Sequence, residues 1–472
     1  MSQEWTAPEW ARKAVFYQIF PDRFCNGDTT NDPPGTVPWD STPTRDNFFG
    51  GDLAGVRSKL DYLHHLGITA LYLTPFFEAK TNHRYDTSDY LQIDPAVGTL
   101  ADYHGVVADL KARGMHLILD AVYNHCGDGF GAFEDVRQQG AASRHKDWFF
   151  IDSFPITADP PSYQTCGGAA FLPKLNTQNP ATREYLLHVT RYWLEQGADG
   201  WRLDVPWKVP MDFWREFRQV VLSINPNAFI VGEEWRSARS WLGGDTVHGV
   251  MNYRLRDAIL DYCALDRMDA EDFDHELDEL RREHGASVDF HLTLLGSHDT
   301  PRILTLCEGD VRRVTLAVAF QMTYRGIPMI YYGDEVGITG GTDPLCRAGM
   351  IWGSNRQNRL LHATFCTLIR LRHTCPALTE GGFETLRVFN AIYAYHRFTQ
   401  TESVVVVLNP REGRRNIHIP LGQASERASA WYDVLKGGIF PTEAGKLIIE
   451  TLPECSALVL VPTGKTHGQS HD

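Results

Sequence analysis

Two hydrophobic periods alternate along this chain between about residue 14 and residue 375, and this alternation constrains the fold more than any other feature. Short apolar runs rich in β-branched and aromatic residues have the pattern of strands, and amphipathic stretches of helical period separate them. The predicted strands are residues 15–20, 70–74, 116–121, 200–204, 229–232, 249–252, 292–295 and 329–331. The predicted helices include residues 53–66, 102–113, 182–196, 211–225 and 312–324.

Eight strand and helix units in this order predict parallel strands joined by helices, and hence an α/β fold of the (β/α)8 barrel type. In such a barrel the functional side chains lie at the C-terminal ends of the strands, where the loops begin. Polar clusters follow the third, fourth, fifth and seventh predicted strands. The barrel prediction therefore also predicts where the chemistry is located.

A chain of 472 residues is too long for a single hydrophobic core, and its pattern divides it into three domains. Residues 1–123 and 181–378 form the predicted barrel. Residues 124–180 are too many for an ordinary loop and are rich in Gly, Pro and aromatic residues, which predicts a small inserted domain that overhangs the cleft. Residues 379–472 predict a C-terminal antiparallel β-sandwich domain with a polar tail after Pro462. Three of its strands are predicted at residues 391–397, 403–408 and 457–461.

The charge balance argues against nucleic acid as a partner. The formal net charge is -14, from 45 basic and 59 acidic side chains, so most of the surface would repel a polyphosphate. Aromatic residues make up 11% of the chain, with 12 Trp, and flat rings in a neutral or acidic pocket suit stacking on sugar faces. Large barrels also bury Trp for packing alone, and composition by itself slightly favours that explanation.

The nine cysteines are scattered, odd in number and without a CxxC pair. This pattern predicts free thiols in a reducing compartment and neither a disulfide nor a zinc framework. Residues 1–13 carry four charged side chains and no apolar h-region, and no later stretch has membrane-spanning length. We therefore expect a soluble cytoplasmic protein with no membrane partner and no organic cofactor.

The third and fourth predicted strands end in polar groups. Asp120 ends the third strand and is followed by Asn124 and His125, and holding such a carboxylate at the end of an apolar strand costs free energy unless a partner binds it. A capping Asp and a turn Asn would explain this segment almost as well. Arg202 and Asp204 end the fourth strand on the same face. The guanidinium is expected to lower the pKa of Asp204 and keep it ionised, as a nucleophile requires, with a structural ion pair as the alternative.

The fifth and seventh strands add further carboxylates. Glu233 and Glu234 precede Trp235, and a Glu that emerges into an aromatic-walled cleft can have its pKa raised by desolvation, which suits a general acid. The residues alone leave the choice between the two glutamates open. His298 and Asp299 follow the seventh strand, and this third carboxylate would be repelled by the other two unless a substrate group or a cation shares the charge. Four such clusters at one barrel rim argue against coincidence.

With these motifs in this order, the chain resembles the α-amylase family of glycoside hydrolases over nearly its whole length. The segments that carry the resemblance are residues 15–24, 83–86, 120–125, 200–204, 232–233, 298–299 and 326–335. The resemblance implies hydrolysis of α-glucosidic bonds by double displacement with retention, in which the two reacting carboxyl groups lie about 5 Å apart.

The resemblance also implies roles for individual residues. Asp204 is the nucleophile, Glu233 the acid/base and Asp299 the carboxylate that binds sugar hydroxyls. Glu233 is preferred to Glu234 because the acid of the family directly follows the Gly. The residues that it implies in substrate binding or its support are His83, Tyr85, Asp120, His125, Arg202 and His298. Trp207, Trp235 and Arg302 are further candidates for substrate binding, and the two tryptophans are placed to exclude water on the acceptor side.

Within the family, residues 172–176 are similar to a segment of neopullulanases, cyclomaltodextrinases and maltogenic amylases. This favours short maltooligosaccharides, cyclodextrins or pullulan as substrates over long starch chains. Two features differ from those relatives: only about a dozen residues precede the first predicted strand, where they carry an N-terminal β domain, and Trp207 and Lys208 stand where they have an Asn-Glu pair. Cleavage of α-1,6 bonds and the choice between monomer and homodimer stay open.

Two rival functions keep the same barrel. One is a transglycosylase or an α-glucoside isomerising enzyme that transfers the glycosyl unit to a sugar. The other is a non-catalytic carbohydrate-binding protein, against which the presence of all three carboxylates argues.

A loop near the N-terminus predicts a structural calcium site away from the cleft, because it is dense in the hard oxygen donors that calcium requires. It also resembles a calcium site of the same relatives, while a polar turn cluster is the alternative. The predicted metal ligands are Asn26, Asp28, Asn31, Asp32, Gly50 and Asp52.

Overall fold

The computed structural model describes residues 6–463, so residues 1–5 and the end of the predicted polar tail lie outside the described part. Two compact units make up this part of the chain. The first comprises Phe16–Met251 and Asp343–Met350 together with the residues up to Ala11. The second comprises Asn252–Thr342, Arg12–Val15 and the chain from Ile351 onward.

Eight strands close into a barrel, and each strand is paired with the next strand of the barrel along the chain. The barrel strands, numbered first to eighth below, are Phe16–Ile19, Ala70–Leu73, His116–Ala121, Gly200–Leu203, Phe229–Glu234, Gly249–Asn252, Leu292–Leu294 and Ile327–Tyr331. The first and second strands pair in parallel, as do the third and fourth and the fourth and fifth. The predicted (β/α)8 barrel is confirmed, and every predicted barrel strand overlaps an observed one.

The helices between the strands agree with the sequence pattern to within two residues wherever a helix was predicted. Of five or more residues, the described α-helices are Glu9–Lys13, Leu53–Ser58, Leu60–Leu66, Leu100–Ala112, Gly131–Gln139, Pro180–Glu195, Met211–Ile224, Tyr253–Ile259, Ala270–His284, Val311–Thr323 and Arg359–Thr374. The predicted helix over residues 53–66 is interrupted at Lys59, whose φ of -108° and ψ of 5° leave the helical region. Amphipathic periodicity continues across such a break, so the sequence pattern does not show it.

Burial follows the two periods that predicted the elements. All four residues of the fourth barrel strand are buried, as expected for a parallel strand that is covered on both faces. The helix Met211–Ile224 buries Phe213, Trp214, Phe217 and Val221, which recur on one helical face. Its opposite face stays polar, so the helix has one side to pack and one side to solvate.

Residues 124–180 contain little regular structure and pack around aromatic rings. One α-helix, Gly131–Gln139, is followed by two short 3-10 turns and isolated bridges. Phe133 lies 5.0 Å from the ring of Phe149 and 4.9 Å from that of Tyr163. This small aromatic core is consistent with the predicted inserted domain, whose boundaries stay a prediction.

The C-terminal part of the second unit is an eight-stranded antiparallel sheet. Its strands are Gly382–Phe389, Ile392–Phe398, Ser403–Asn409, Arg414–Pro420, Ala430–Asp433, Ile439–Glu443, Lys446–Leu452 and Ser456–Pro462. Val405, Val407 and Leu460 share one core with Trp431 and with Ile449 from the other end of the sheet. The two ends therefore enclose a common core, which agrees with the predicted β-sandwich arrangement.

Within residues 6–463, the structure contains no helix that is both long enough and apolar enough to cross a membrane.

Candidate active site

Strand register brings the first two polar clusters together. Asp120 of the third barrel strand is paired in register with Arg202 of the fourth. Nη1 of Arg202 donates to Oδ1 of Asp120 at 2.8 Å, and both side chains are almost completely buried. Arg202 and Asp204 stand two residues apart and so share a face of the strand, as their alternation predicted.

Arg202 is the centre of a buried cluster of three carboxylates. Its Nη1 also donates to Oδ1 of Asp204 at 2.7 Å, and its Nη2 lies 2.8 Å from Oε2 of Glu233. Two carboxylates are thus bound to the two terminal nitrogens of one guanidinium. This short bridge is compatible with the separation of about 5 Å that a retaining glycosidase needs between its two carboxyl groups.

The charges in this cluster do not cancel, since one guanidinium faces three carboxyl groups. Burial raises the pKa of Asp204 well above its usual value; Arg202 opposes the rise, while the nearby charges of Glu233 and Asp120 add to it. Burial likewise raises the pKa of Asp120. The sequence-based expectation had the correct sign for the effect of Arg202 on Asp204 but omitted burial, which outweighs it. The net direction of the Asp204 pKa shift is upward, contrary to that expectation.

Backbone strain marks the residue after Asp204. Val205 has φ 33° and ψ 51°, in the left-handed region that a β-branched residue rarely adopts. In this conformation its N–H donates to Oε2 of Glu233 at 3.0 Å. Such outliers concentrate at functional sites, because the surrounding structure has to hold them in place. Nothing in the sequence pattern indicated this contact.

Two tyrosines bind the Asp120 oxygen that Arg202 does not. The hydroxyl of Tyr72 donates to Oδ2 of Asp120 at 2.6 Å, and that of Tyr85 donates to the same oxygen at 2.8 Å. Burial raises the pKa of both phenols well above their usual value, so both remain donors at neutral pH. Tyr72 was missed in the sequence analysis. The signal for it was available, because Tyr72 is in register with Ile118, two residues before Asp120 and therefore on the same face.

Two histidines of the predicted substrate site are held in the neutral state. Burial lowers the pKa of His83 to about 4 and that of His125 to about 4. The backbone N–H of Tyr85 donates to Nδ1 of His83 at 3.1 Å, so the neutral ring carries its proton on Nε2. A neutral imidazole with a defined donor nitrogen suits recognition of a hydroxyl group.

The structure distinguishes the two adjacent glutamates that the residues alone left unresolved. Oε1 of Glu234 accepts from the backbone N–H of Arg236 at 2.8 Å, and its Oε2 accepts from Nε1 of the buried Trp241 at 2.8 Å. Glu234 is thereby tied to its own loop. Glu233, in contrast, belongs to the cluster around Arg202, and its Oε1 accepts from Nε1 of Trp235 at 2.6 Å.

Two tryptophans beside this cluster are exposed. Trp207, in the short turn after the fourth strand, is 43% exposed, and Trp235, directly after the fifth strand, is 37% exposed. The inserted segment reaches the same place, since the charges of Asp204 and Glu233 act on the Cys166 thiol, whose pKa is raised to about 11, chiefly by burial. Exposed flat rings beside buried carboxylates are features of a sugar-binding cleft.

The remaining predicted residues lie in the second unit. Asp299, after the seventh barrel strand, has an exposed carboxylate whose Oδ2 is 3.3 Å from Nε2 of the buried His298. Arg302 is completely buried; its Nη1 donates to Oδ1 of Asp334 at 3.0 Å and to the carbonyl of Tyr332. These hydrogen bonds of Arg302 lie within the second unit and hold the loop after the eighth strand.

The residues of the predicted calcium loop lie in the first unit, and one of them, Asp52, has a role that was not predicted. Both oxygens of Asp52 are occupied by N–H donors, because Asp52 caps the helix Leu53–Ser58 and also accepts from the backbone of Gly27 and Asp28. Asp52 is therefore engaged as a helix cap. Among residues 6–463, no group of three or more His, Cys, Asp or Glu side chains is arranged to hold a metal ion.

Amide oxygens, not carboxylates, are the open acceptors of this loop. Oδ1 of Asn26 and Oδ1 of Asn31 are buried without a hydrogen-bond partner in the described structure. Nδ2 of Asn26 donates to Oδ1 of Asp32 at 2.7 Å. A Cβ atom on Gly50 would lie 2.2 Å from that Asp32 oxygen, so only glycine fits against this cluster.

A closed (β/α)8 barrel whose strand ends present a buried Asp, Glu and Arg beside exposed aromatic rings defines the class of barrel glycoside hydrolases. Residues 18–367 match the family described as "Alpha amylase, catalytic domain", and the chain belongs to that family. It is an α-amylase family glycoside hydrolase, as the sequence resemblance implied.

Similar proteins cover almost the whole chain. The chain is 47% identical over 459 residues to neopullulanase 2 of Thermoactinomyces vulgaris, which covers 96% of this chain and 78% of that relative. It is 44% identical over 453 residues to a cyclomaltodextrinase of Geobacillus thermopakistaniensis, covering 95% and 76%. Among solved structures, it matches the cyclic α-maltosyl-(1→6)-maltose hydrolase of Arthrobacter globiformis in complex with cyclic α-maltosyl-(1→6)-maltose, with a TM-score of 0.89, 44% identity and coverage of 97% and 100%.

Proposed function

We propose that this enzyme hydrolyses α-1,4-glucosidic bonds in short or cyclic α-glucans such as maltooligosaccharides and cyclodextrins, with pullulan and starch as further candidate substrates. The names of its relatives support this substrate class, since they include a neopullulanase, a cyclomaltodextrinase and a hydrolase of a cyclic maltosyl-maltose. The last of these names contains an α-1,6 linkage, which supports including α-1,6 bonds in the substrate test.

The proposed mechanism assigns one step to each carboxylate of the cluster. Asp204 attacks the anomeric carbon while Glu233 gives a proton to the leaving oxygen, and water deprotonated by Glu233 then releases the sugar. Asp299 takes the role of the third carboxylate that the family resemblance implies, which binds sugar hydroxyls. Arg202 orients Asp204 and Glu233, and His83 donates from Nε2 to a sugar hydroxyl.

One observation carries this proposal: a single buried guanidinium binds Asp204 and Glu233 through adjacent nitrogens, at 2.7 and 2.8 Å. A purely structural ion pair needs one carboxylate for each cation. Two further carboxyls around the same cation cost free energy, which is expected where their chemistry is used.

Substitution at the two reacting carboxyls tests the assignment. Asp204→Ala and Glu233→Gln should each lower kcat on maltotriose by several orders of magnitude while the circular dichroism spectrum is kept, because each removes one partner of covalent acid/base catalysis. Glu234→Gln is the matched control, since its carboxyl is bound to its own loop. Near-normal turnover in either of the first two variants would refute the role given to that residue.

The product profile defines the substrate. We expect reducing-sugar release from maltotriose and β-cyclodextrin to exceed that from starch at equal mass concentration. Faster hydrolysis of starch than of both oligosaccharides would overturn the substrate class and leave the family unaffected.

Transfer to a sugar acceptor is the second candidate reaction, and the two exposed tryptophans favour it. Trp207 and Trp235 offer hydrophobic faces on which an acceptor sugar could stack. At high maltose concentration, transfer would yield oligosaccharides longer than the substrate, whereas hydrolysis alone would yield only shorter ones.

We also propose a structural calcium ion at the loop of Asn26, Asn31 and Asp32. Two buried amide oxygens without donors are the kind of hard oxygen ligand that calcium takes. Calcium would supply no chemistry to the cleft and would order this loop. Treatment with EGTA should lower the melting temperature, and calcium added back in excess should restore it, while magnesium should not.

A cytoplasmic location is proposed from the cysteines. All nine are free thiols, and seven of them are buried. Fractionation of cells that express the native chain, followed by immunodetection, tests the location; recovery in an extracellular or periplasmic fraction would contradict it.

A further inference from the structure

The two oxygens of Glu233 are bound by donors that differ in burial. Oε2 accepts from the completely buried Arg202 at 2.8 Å and from the backbone N–H of Val205 at 3.0 Å. Oε1 accepts from the indole N–H of Trp235 at 2.6 Å, and Trp235 is 37% exposed. Oε1 is therefore the oxygen that can be presented to a substrate, and an exposed side chain covers it.

The neighbouring glutamate provides an internal comparison. Oε2 of Glu234 also accepts from an indole N–H, that of Trp241, at 2.8 Å. Trp241 is only 2% exposed, so this second bond is part of the packed interior. Two adjacent glutamates thus each accept a hydrogen bond from an indole N–H. The Glu234–Trp241 pair is buried in the core, and the Glu233–Trp235 pair is at the surface of the cleft.

The hydrogen bond from the indole N–H is incompatible with proton donation by the same carboxyl oxygen. Indole nitrogen is a donor only, so it binds the carboxylate form of Oε1 well and cannot accept a proton from it. In the first chemical step, Oε1 has to carry a proton that points at the glycosidic oxygen. The indole has to leave Oε1 before this proton is delivered, or at the latest while it is delivered.

We propose that Trp235 is a positioning residue that caps Oε1 of Glu233 in the free enzyme and is displaced when a sugar on the leaving-group side packs against its ring. The proposal rests on the acid/base role proposed for Glu233. After displacement, the proton passes from Oε1 to the glycosidic oxygen, the electrons of the broken C–O bond stay with the leaving sugar, and Asp204 forms the new bond to the anomeric carbon.

The cap acts together with the other titratable and charged groups around Glu233. Arg202 of the fourth strand interacts electrostatically with Glu233, and so does Asp204, which directly follows that strand. Cys166 of the inserted segment interacts with Glu233 in the same way. Removing the indole N–H leaves all three in place. A change in the pH profile of a variant that lacks only this N–H therefore reports on the cap.

Trp235→Phe tests the proposal, because phenylalanine keeps an aromatic face for the sugar and removes the donor. Trp235→Phe removes a hydrogen bond that only the carboxylate form accepts, so the alkaline limb of kcat/KM for maltotriose should move up by about one pH unit, with KM nearly unchanged. Replacement of Trp235 by benzothienylalanine, which keeps the bicyclic shape without the N–H, should give the same shift. Trp241→Phe, the matched control, should leave the limb in place.

A second substrate separates this proposal from the function on which it rests. α-Maltosyl fluoride needs no proton on its leaving group, so the release of fluoride in the first turnover should respond far less to Trp235→Phe than the hydrolysis of maltotriose does. In Glu233→Gln, Asp204 should still displace fluoride from this substrate, so that the C–F bond breaks, fluoride leaves and the covalent glycosyl enzyme accumulates. An unshifted alkaline limb in both Trp235 variants would overturn the cap and reduce Trp235 to a stacking surface. Full activity of Glu233→Gln on maltotriose, or its failure to react with α-maltosyl fluoride, would instead overturn the acid/base role of Glu233.

Discussion

Replacement of Arg202 by methionine should destabilise the protein in a strongly pH-dependent way. Arg202 is completely buried and lies 2.8, 2.7 and 2.8 Å from Asp120, Asp204 and Glu233, whose side chains are at most 8% exposed. Removing one partner of a buried ion pair costs about 3–5 kcal/mol. We therefore expect the free energy of unfolding to fall by about 4 kcal/mol at pH 7.5, where the three carboxyls have lost the cation that binds all of them.

The same variant should be less destabilised at pH 5.0. Without Arg202, the folded-state pKa values of Asp120 and Asp204 are raised further above the unfolded value, so between these values the folded state binds more protons than the unfolded state. Folded-state stability of the variant therefore rises as the pH falls through this window, by up to about 1.4 kcal/mol per pH unit for each carboxyl. The deficit relative to the natural protein should shrink by about 1–3 kcal/mol between pH 7.5 and pH 5.0.

Urea unfolding followed by far-UV circular dichroism at both pH values measures this difference. Arg372→Met is the matched control, because Arg372 is equally buried but donates to the backbone carbonyls of Met322, Tyr324 and Gly326. Its deficit should be the same at both pH values within about 0.5 kcal/mol. A deficit for Arg202→Met that is constant, or larger at pH 5.0, would refute the account of an undercompensated carboxylate cluster.

Three further predictions concern regions outside the cluster. Burial lowers the pKa of His396 to about 4, so the unfolded state binds more protons than the folded state as the pH falls below about 6.5. In urea unfolding, His396→Gln should therefore remove up to about 2 kcal/mol of the stability loss between pH 7 and pH 5, and an unchanged loss would contradict this account. Gly50→Ala places a Cβ 2.2 Å from Asp32 Oδ1 at φ +79°, so it should cost more than about 1 kcal/mol and abolish any calcium-dependent rise in melting temperature. Leu460→Ala should cost about 2–5 kcal/mol, because Leu460 is fully buried in the core of the C-terminal sheet; a change below 1 kcal/mol in urea unfolding would contradict that packing.

Most of the barrel could be predicted because strands and helices have different hydrophobic periods. The third to sixth barrel strands were placed to within two residues at each end, and the helix Met211–Ile224 to within one. Departures occur where a local backbone change leaves the periodicity intact, as at Lys59. Periodicity reports which residues are buried, and a short break in a helix does not change that.

The residues of the site were accessible from sequence for a similar reason. Asp204 and Glu233 follow apolar strands, and the topology of a barrel brings strand ends to one rim, so their positions in the sequence already indicated a shared location. Residues that act through their backbone gave no such signal. The N–H of Val205 binds Glu233 because of a left-handed φ, and side-chain chemistry carries no information about it.

The sequence by itself determined the family, the barrel and the identity of the carboxylates, because these depend on periodicity and on the order of motifs along the chain. Tertiary structure alone decided that Arg202 binds Asp120, Asp204 and Glu233 together, that Asp52 caps a helix, and that the pKa of Asp204 rises. These three outcomes depend on distances and burial between residues far apart in the chain. Electrostatic free energies change steeply with both quantities, so they are set only when the fold brings the groups together.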